Sequence, residues 1–291
     1  MRFGATFPTT EIGDDPIAVR DFAQAAEALG YSHIVAYDHV LGAVHEGRQP
    51  KLWGPYTEND PFHEPFVLFG FLAGVTTTIE FETAIIILPQ RQTVLAAKQA
   101  AEVAVLSGDR LRLGLGTGWN PVEYEGLGIP WQGRGARFDD QVDLLRRLWT
   151  EHVLDVDTAQ HRIDRAGILP RPRKPIPIWF GGGSEVAFKR AVRTGDGFTF
   201  ASAGRKTIEQ VQHLRGLLTT AGRDPGAFPI EFTLMYGLGE ARWASAVAGA
   251  REAGIDYLAI NAMSTTAAWT GMEAPGFSGP AQHIAALERF M

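Results

Sequence analysis

Eight short apolar runs recur along the chain, each followed by a segment with helical spacing, and this alternation limits the fold more than any single motif does. The runs are "RFGATF" (2–7), "HIVAY" (33–37), "IEFETAIIIL" (79–88), "RLRLGLG" (110–116), "IPIWF" (176–180), "GFTF" (197–200), "PIEFTLMYGL" (229–238) and "IDYLAI" (255–260). Most are continuous or nearly so, the pattern of strands covered by protein on both faces. The first helix is capped by Asp15, carries Pro16 in its first turn, repeats apolar residues at Ile17, Phe22, Ala25, Ala26 and Leu29, and stops at Gly30. Further helices are predicted over 64–75, 93–107, 136–150, 184–194, 207–221, 241–252 and 280–290, with Thr207 capping the 207–221 helix and Gly222 ending it.

Eight β-α units in 291 residues predict one α/β domain over 1–291, a (β/α)8 TIM barrel. A doubly wound open sheet fits the same alternation. Its dinucleotide fingerprint, G-x-G-x-x-G, is missing: "GLGTG" (114–118) has the wrong spacing and follows the fourth strand. Three connections are too long for simple loops: 41–63, 151–175 and 261–279. The first and last follow strands directly, so they are read as insertions at the C-terminal mouth, where barrel enzymes keep their sites. The middle one reads as a small hairpin with a Pro-rich return.

Within that frame four stretches carry chemistry. "IVAYDHVL" (34–41) ends a buried strand in Asp38-His39, which places both on the barrel rim. There His39 can exchange a proton with a ligand while Asp38 orients it or caps the next turn. A histidine hydrogen-bonded within its loop satisfies the same pattern. "FGGGSEVAFKRAV" (180–192) runs from a strand through Gly181, Gly182 and Gly183 into Ser184 and a helix. Backbone N–H groups there suit a phosphate, with a capped tight turn as the plain alternative. Phosphate sites of such barrels more often follow strands seven and eight; this turn follows the fifth. "GTGWNPVEYEGLG" (116–128) puts Trp119 and Asn120 at the mouth, with Glu123 a turn later. An aromatic with an amide can wall a planar cofactor, or simply pack its own loop. "HEPF" (63–66) reads chiefly as a helix start.

Several functions fall away. There is no cysteine, so disulfides, zinc thiolates and iron–sulfur clusters are excluded. The histidines show no H-E-x-x-H spacing, and no metal is expected; a G-x-S-x-G nucleophile elbow is missing. A net charge of −6 without basic runs argues against nucleic acid and membrane surfaces. No apolar stretch spans a membrane and "MRFGATFPTT" lacks a signal-peptide core, so a cytoplasmic location is expected.

Taken together, "YDHV", "DPFHEPF", "ILPQRQTVLAAKQAAEVAVLSGDRLRLGLGTGWNPVEYEGLG" and "PIPIWFGGGSEVAFKRAVRTGDGF" resemble the luciferase-like monooxygenase superfamily over essentially the whole chain. Within it, the chain resembles oxidoreductases that use the deazaflavin coenzyme F420. The resemblance implies a TIM barrel with a flavin or deazaflavin at its C-terminal mouth. It implies that His39 is the acid–base or anion-stabilising group beside the ring, with Asp38 its motif neighbour. It implies a bulge with a non-prolyl cis peptide at Ala84-Ile85 under the middle ring. Gly181, Gly182 and Gly183 resemble phosphate-binding glycines, and Trp119 and Asn120 fall where relatives place cofactor or substrate contacts. Some deazaflavin relatives carry a glutamate where Trp119 stands, which argues against a sugar-phosphate dehydrogenase. The implied reaction is hydride transfer between F420 and a small-molecule substrate. Two alternatives remain: an FMN-dependent monooxygenase supplied with reduced flavin by a separate reductase, and a non-catalytic flavin-binding scaffold. Relatives are often homodimers, and F420 chemistry calls for a separate cofactor reductase or dehydrogenase. Trp53, Tyr56, Trp269 and Phe277 in the mouth loops suggest a partly apolar pocket or a subunit interface.

Overall fold

The computed structural model describes residues 1–291. Its strands are β1 (Arg2–Thr6), β2 (His33–Ala36), β3 (Glu80–Thr83), β4 (Ile86–Ile87), β5 (Leu111–Gly116), β6 (Leu154–Asp157), β7 (Arg162–Ala166), β8 (Ile178–Gly181), β9 (Gly197–Phe200), β10 (Ile230–Met235) and β11 (Tyr257–Asn261). Parallel pairings run β1–β2–β3–β5–β8–β9–β10–β11 and back to β1, which closes an eight-stranded barrel. Helices α1 (Pro16–Ala28), α2 (Pro65–Val75), α3 (Thr93–Ser107), α4 (Pro121–Gly126), α5 (Arg134–Thr150), α6 (Glu185–Thr194), α7 (Arg205–Thr220), α8 (Glu240–Glu252), α9 (Ser264–Trp269) and α10 (Pro280–Phe290) fill the connections. The fold class expected from the alternation is the one observed. No helix is long and apolar enough to cross a membrane.

The two faces of each strand do different jobs. Outward residues meet the helices: Phe81 stacks on Phe69 of α2, Phe180 meets Phe138 of α5 edge-on, and Phe198 packs at a tilt against Phe188 of α6, with ring centroids 5.1–5.6 Å apart. Inward residues are smaller or polar. His33, Glu82, Arg112 and Glu231, from four strands, meet inside the lower barrel. The strands are therefore alternating rather than uniformly apolar, and "EFET" and "RLRLG" already show the period of two.

Capping chemistry explains the helix ends. Asp15 accepts from the Ile17 N–H at 2.9 Å, and the turn after α1 uses Gly30 at φ +85°. Glu64 caps α2 by accepting from the Val67 N–H at 2.8 Å. Four expectations need correction. The run 79–88 is not one strand: β3 and β4 are separated by the Ala84-Ile85 peptide, which is cis. The 229–238 run leaves the sheet after Met235 for a 3-10 turn at Tyr236–Leu238. Thr207 caps nothing. Helix α7 begins two residues earlier, and the Thr207 hydroxyl lies buried 3.1 Å from that of Ser202. Helix α5 starts at Arg134, and α4, a short turn of helix, was not foreseen.

Of the three long excursions, 151–175 holds the antiparallel β6–β7 hairpin. Its tip is pinned to the barrel by His161, 2.8 Å from Asp140 on α5 and 2.6 Å from the Thr93 hydroxyl on α3. The 41–63 segment crosses the C-terminal mouth as coil with turns, and 261–279 contributes α9 there.

Candidate active site

Strand β2 ends at Ala36, and the next three residues turn to different tasks. The Tyr37 hydroxyl points into the barrel and accepts from Asn261 Nδ2 at 2.9 Å; burial pushes its pKa up to about 12. The Asp38 carboxylate accepts from the Ile87 N–H at 2.9 Å and pairs with Arg91 at 2.6 Å. It therefore supports the strand break at 84–87 and does not hold His39, contrary to one of the two roles expected of it. His39 turns instead to Glu123: Nδ1 and Oε1 are 2.6 Å apart. Its Nε2 has no hydrogen bond and is not enclosed. The imidazole is ringed by Tyr56, Phe62 and Trp119 at centroid distances of 5.0, 4.8 and 5.4 Å.

Glu123 is the partner that sequence reading noted in passing but did not assign. The sequence signals its helix but not its contact with His39: Asn120-Pro121-Val122-Glu123 has the pattern of a helix start, with a capping residue, proline first and an acid at the third position. Asn120 Oδ1 does accept from the Val122 N–H at 3.0 Å, and its amide sits 3.4 Å from Glu123 Oε1. Asn120 is thus buried and occupied within α4, while the Trp119 ring lies in the mouth over His39.

The strand break lies between this group and the glycine turn. Glycines on the two neighbouring strands make room for it. A Cβ on Gly116 would come 2.6 Å from Ile85 Cδ1, one on Gly181 would come 2.6 Å from Ile85 Cγ2, and one on Gly114 would press on the Thr83 carbonyl. Thr83 Oγ1 donates to the Gly114 carbonyl at 2.8 Å. Ile85 therefore lies against β5 and β8 together, and Asp38, through Ile87, ties the same segment to the end of β2. His39, Ala84-Ile85 and Gly181 all stand on the C-terminal face.

Past Gly181 the chain passes through Gly182 at φ +128°, a conformation that favours glycine, then exposed Gly183 and Ser184. Ser184 caps α6 by accepting from the Ala187 N–H at 3.2 Å, which leaves the N–H groups of Glu185 and Val186 without helical partners. Free N–H groups at a helix N-terminus favour an anion in general. One carboxylate, Glu185, sits beside it. It is drawn aside by His213 at 2.6 Å and Lys189 at 3.3 Å, and the His213 hydrogen bond holds its pKa below the usual range.

A second titratable cluster lies deeper in the barrel. His33, Glu82 and Glu231 are fully buried with ligand atoms within 4.8 Å of one another. Spacing in sequence did not reveal it, because its members come from β2, β3 and β10. The cationic place is taken by Arg112, whose Nε donates to Glu82 at 2.9 Å and whose guanidinium lies 4.3 and 4.4 Å from the Trp179 and Tyr257 ring centres. Burial, then Arg112, pushes the His33 pKa down to about 3, so the imidazole is neutral.

His39 and the glycine turn thus share the C-terminal face of a (β/α)8 barrel, the face on which barrel enzymes keep their sites. Comparison with known proteins narrows the class. The family model for luciferase-like monooxygenases matches residues 1–274, and the chain belongs to that family. An uncharacterised protein of Mycobacterium tuberculosis is 33% identical over 206 residues, 69% of this chain and 71% of that one. The F420-dependent glucose-6-phosphate dehydrogenase of Kribbella flavida is 28% identical over 255 residues, 78% of this chain and 71% of the enzyme. Among solved structures, monooxygenase RslO1 from Streptomyces bottropensis superposes with a TM-score of 0.74 at 20% identity, over 100% of this chain and 98% of that one.

Proposed function

We propose that the protein is an F420-dependent oxidoreductase that moves a hydride between the deazaflavin and a small organic substrate. The observation that carries this reading is the joint placement of His39, the Ala84-Ile85 break and the Gly181–Gly183 turn on one face, linked through Ile85 and Asp38. The residues fit such a cofactor on a structural criterion: a Cβ on Gly181 would strike Ile85 at 2.6 Å, so only glycine lets the turn lie this close to the break, and the first N–H groups of α6 have no helical partners beside it. When bound, the deazaflavin supplies two-electron hydride chemistry.

The chain's own residues do the rest. Gly181, Gly182, Gly183 and Ser184 would hold the phosphate. Ala84 and Ile85 form the ledge beside it, kept in place by Asp38 through the Ile87 N–H. Trp119, Tyr56 and Phe62 exclude water around His39. Nε2 of His39 is the atom at which the accompanying proton is held or released. The likeness to F420-named relatives favours the deazaflavin; the likeness to a monooxygenase structure at 20% identity concerns the fold.

The test is a pair of fluorescence titrations of pure protein, one with oxidised F420 and one with FMN. Saturable binding of F420, with FMN much weaker, is the expected result. Tight FMN binding without an F420 signal would favour the reduced-flavin monooxygenase, and binding of neither would favour a non-catalytic scaffold. With the cofactor bound, His39→Ala should lower turnover about 10²–10⁴-fold, the usual worth of a positioned proton-transfer group, while leaving cofactor affinity nearly unchanged.

A further inference from the structure

We infer that Glu123 is the positioning residue of this site, locking His39 in the tautomer that presents an unprotonated Nε2 to the mouth. The inference rests on the reading of His39 as the proton-handling group. An ionised carboxylate accepts hydrogen bonds and donates none. With Glu123 Oε1 2.6 Å from His39 Nδ1, the hydrogen between them belongs to Nδ1, and the lone pair of the neutral ring lies on Nε2.

The setting of Glu123 supports this. Its side chain is 0% exposed, and both oxygens are engaged: Oε1 by His39 and Asn120, Oε2 by the Gln90 amide at 3.2 Å. No lysine or arginine pairs with it; Arg91, the guanidinium of the neighbouring network, is taken by Asp38 and Glu64. Glu123 is thus a buried carboxylate whose one potential counter-cation is the imidazolium of His39. The helix that carries Glu123 is itself held down, since the neighbouring Tyr124 is fully buried and donates to the Thr117 carbonyl at 2.7 Å.

The proton step balances on these atoms. With a bound deazaflavin supplying the hydride acceptor, Nε2 would take the proton as the O–H or N–H bond next to the oxidised substrate carbon breaks. The electron pair left behind becomes the new C=O or C=N bond. In the opposite direction Nε2 returns the proton to the heteroatom. Glu123 touches neither substrate nor cofactor in either direction; it acts through the imidazole.

The experiment has one arm that needs no cofactor. Nitrogen-15 NMR of the imidazoles in cofactor-free protein should assign His39 as protonated at Nδ1, with a pyridine-type Nε2. A hydrogen found on Nε2 of the neutral ring overturns the inference. The second arm uses E123Q, which keeps the shape and removes the charge. F420 affinity should stay within about threefold, kcat should fall about 10²-fold or more with KM little changed, and E123D should recover part of the loss, as expected when a carboxylate orients a catalytic imidazole. A variant with unchanged kcat overturns it as well. If E123Q does not fold, the wild-type NMR assignment still decides. If neither wild type nor variant binds F420, the functional reading fails, while the tautomer measurement separately decides the dyad.

Discussion

Asp38 and His39 are adjacent in sequence and serve different structures. Asp38 is turned inward, with its side chain 1% exposed, and bridges Arg91 and the Ile87 N–H. Replacing it with asparagine keeps an oxygen for Ile87 and removes the charge facing Arg91. Breaking a buried ion pair costs about 3–5 kcal/mol; since Glu64 still faces Arg91 at 3.0 Å, Asp38→Asn should cost about 3 kcal/mol in urea unfolding. The His39 tautomer should be unchanged, because Glu123 sets it, and a His39 spectrum altered in Asp38→Asn would show the two residues to be coupled after all. The "DH" pair was legible because two adjacent polar residues closing an apolar run suit the rim of a barrel and not its interior. Glu123 was not assigned, because its contact with His39 spans 84 positions and depends on the unforeseen one-turn helix α4. No local spacing encodes that meeting.

At the scale of the strands, the apolar runs marked out every barrel strand, and the errors came from treating each run as uniform. Glu82, Arg112 and Glu231 sit in strands because their neighbours Phe81, Leu111, Leu113 and Phe232 face the helices. The period of two sends the charges inward, where Arg112 pairs with Glu82 and His33 with Glu231, while Glu82 Oε1 and Glu231 Oε2 are left without hydrogen-bond partners. This arrangement has a pH signature. One guanidinium stands among two carboxyls, and burial pushes the pKa of Glu82 and of Glu231 up, so the native state retains a carboxyl proton. That contribution to stability is complete below the ordinary carboxylate value of 4.5 and is lost as pH rises through the raised native values. His33 runs the other way. With its pKa lowered from 6.5 to about 3, its contribution is complete above 6.5 and is lost as pH falls toward 3. Glu231→Gln makes one of the carboxyls permanently neutral. The decline in Tm as pH rises above the ordinary carboxylate value of 4.5 should therefore become shallower in the variant, as thermal scans at rising pH would show. A slope identical to wild type would mean that no proton is shared in the cluster.

Across the whole molecule, segments that follow three different barrel strands converge over His39. Trp53, from the segment after β2, lies between Trp119, which follows β5, and Trp269 on α9, which follows β11; the centroid distances are 5.8 and 5.9 Å. Gly54 permits the approach. It sits at φ +141° with the Trp119 ring where a Cβ would be, 2.2 Å away, so any side chain there would push the segment off. Tyr56 then reaches down beside His39, where burial raises the pKa of its phenol. Loop composition announced aromatics at the mouth but not which of them meet, since contacts between chain ends so far apart follow from barrel closure. On the proposed reading, a planar cofactor reaching Ala84-Ile85 would have to displace part of this aromatic cover, which predicts that the mouth opens to admit it. An aromatic pair is worth about 0.5–1.5 kcal/mol beyond its area, and Trp53 makes two, so losing both corresponds to roughly a five- to 150-fold change in the open population. Trp53, already 60% exposed, is removable with little cost to the core. Trp53→Ala should accordingly raise the F420 association rate by about that factor in stopped-flow fluorescence, with much less change in unfolding free energy. An association rate equal to wild type would mean that the three indoles do not gate the barrel and that the ring enters beneath them.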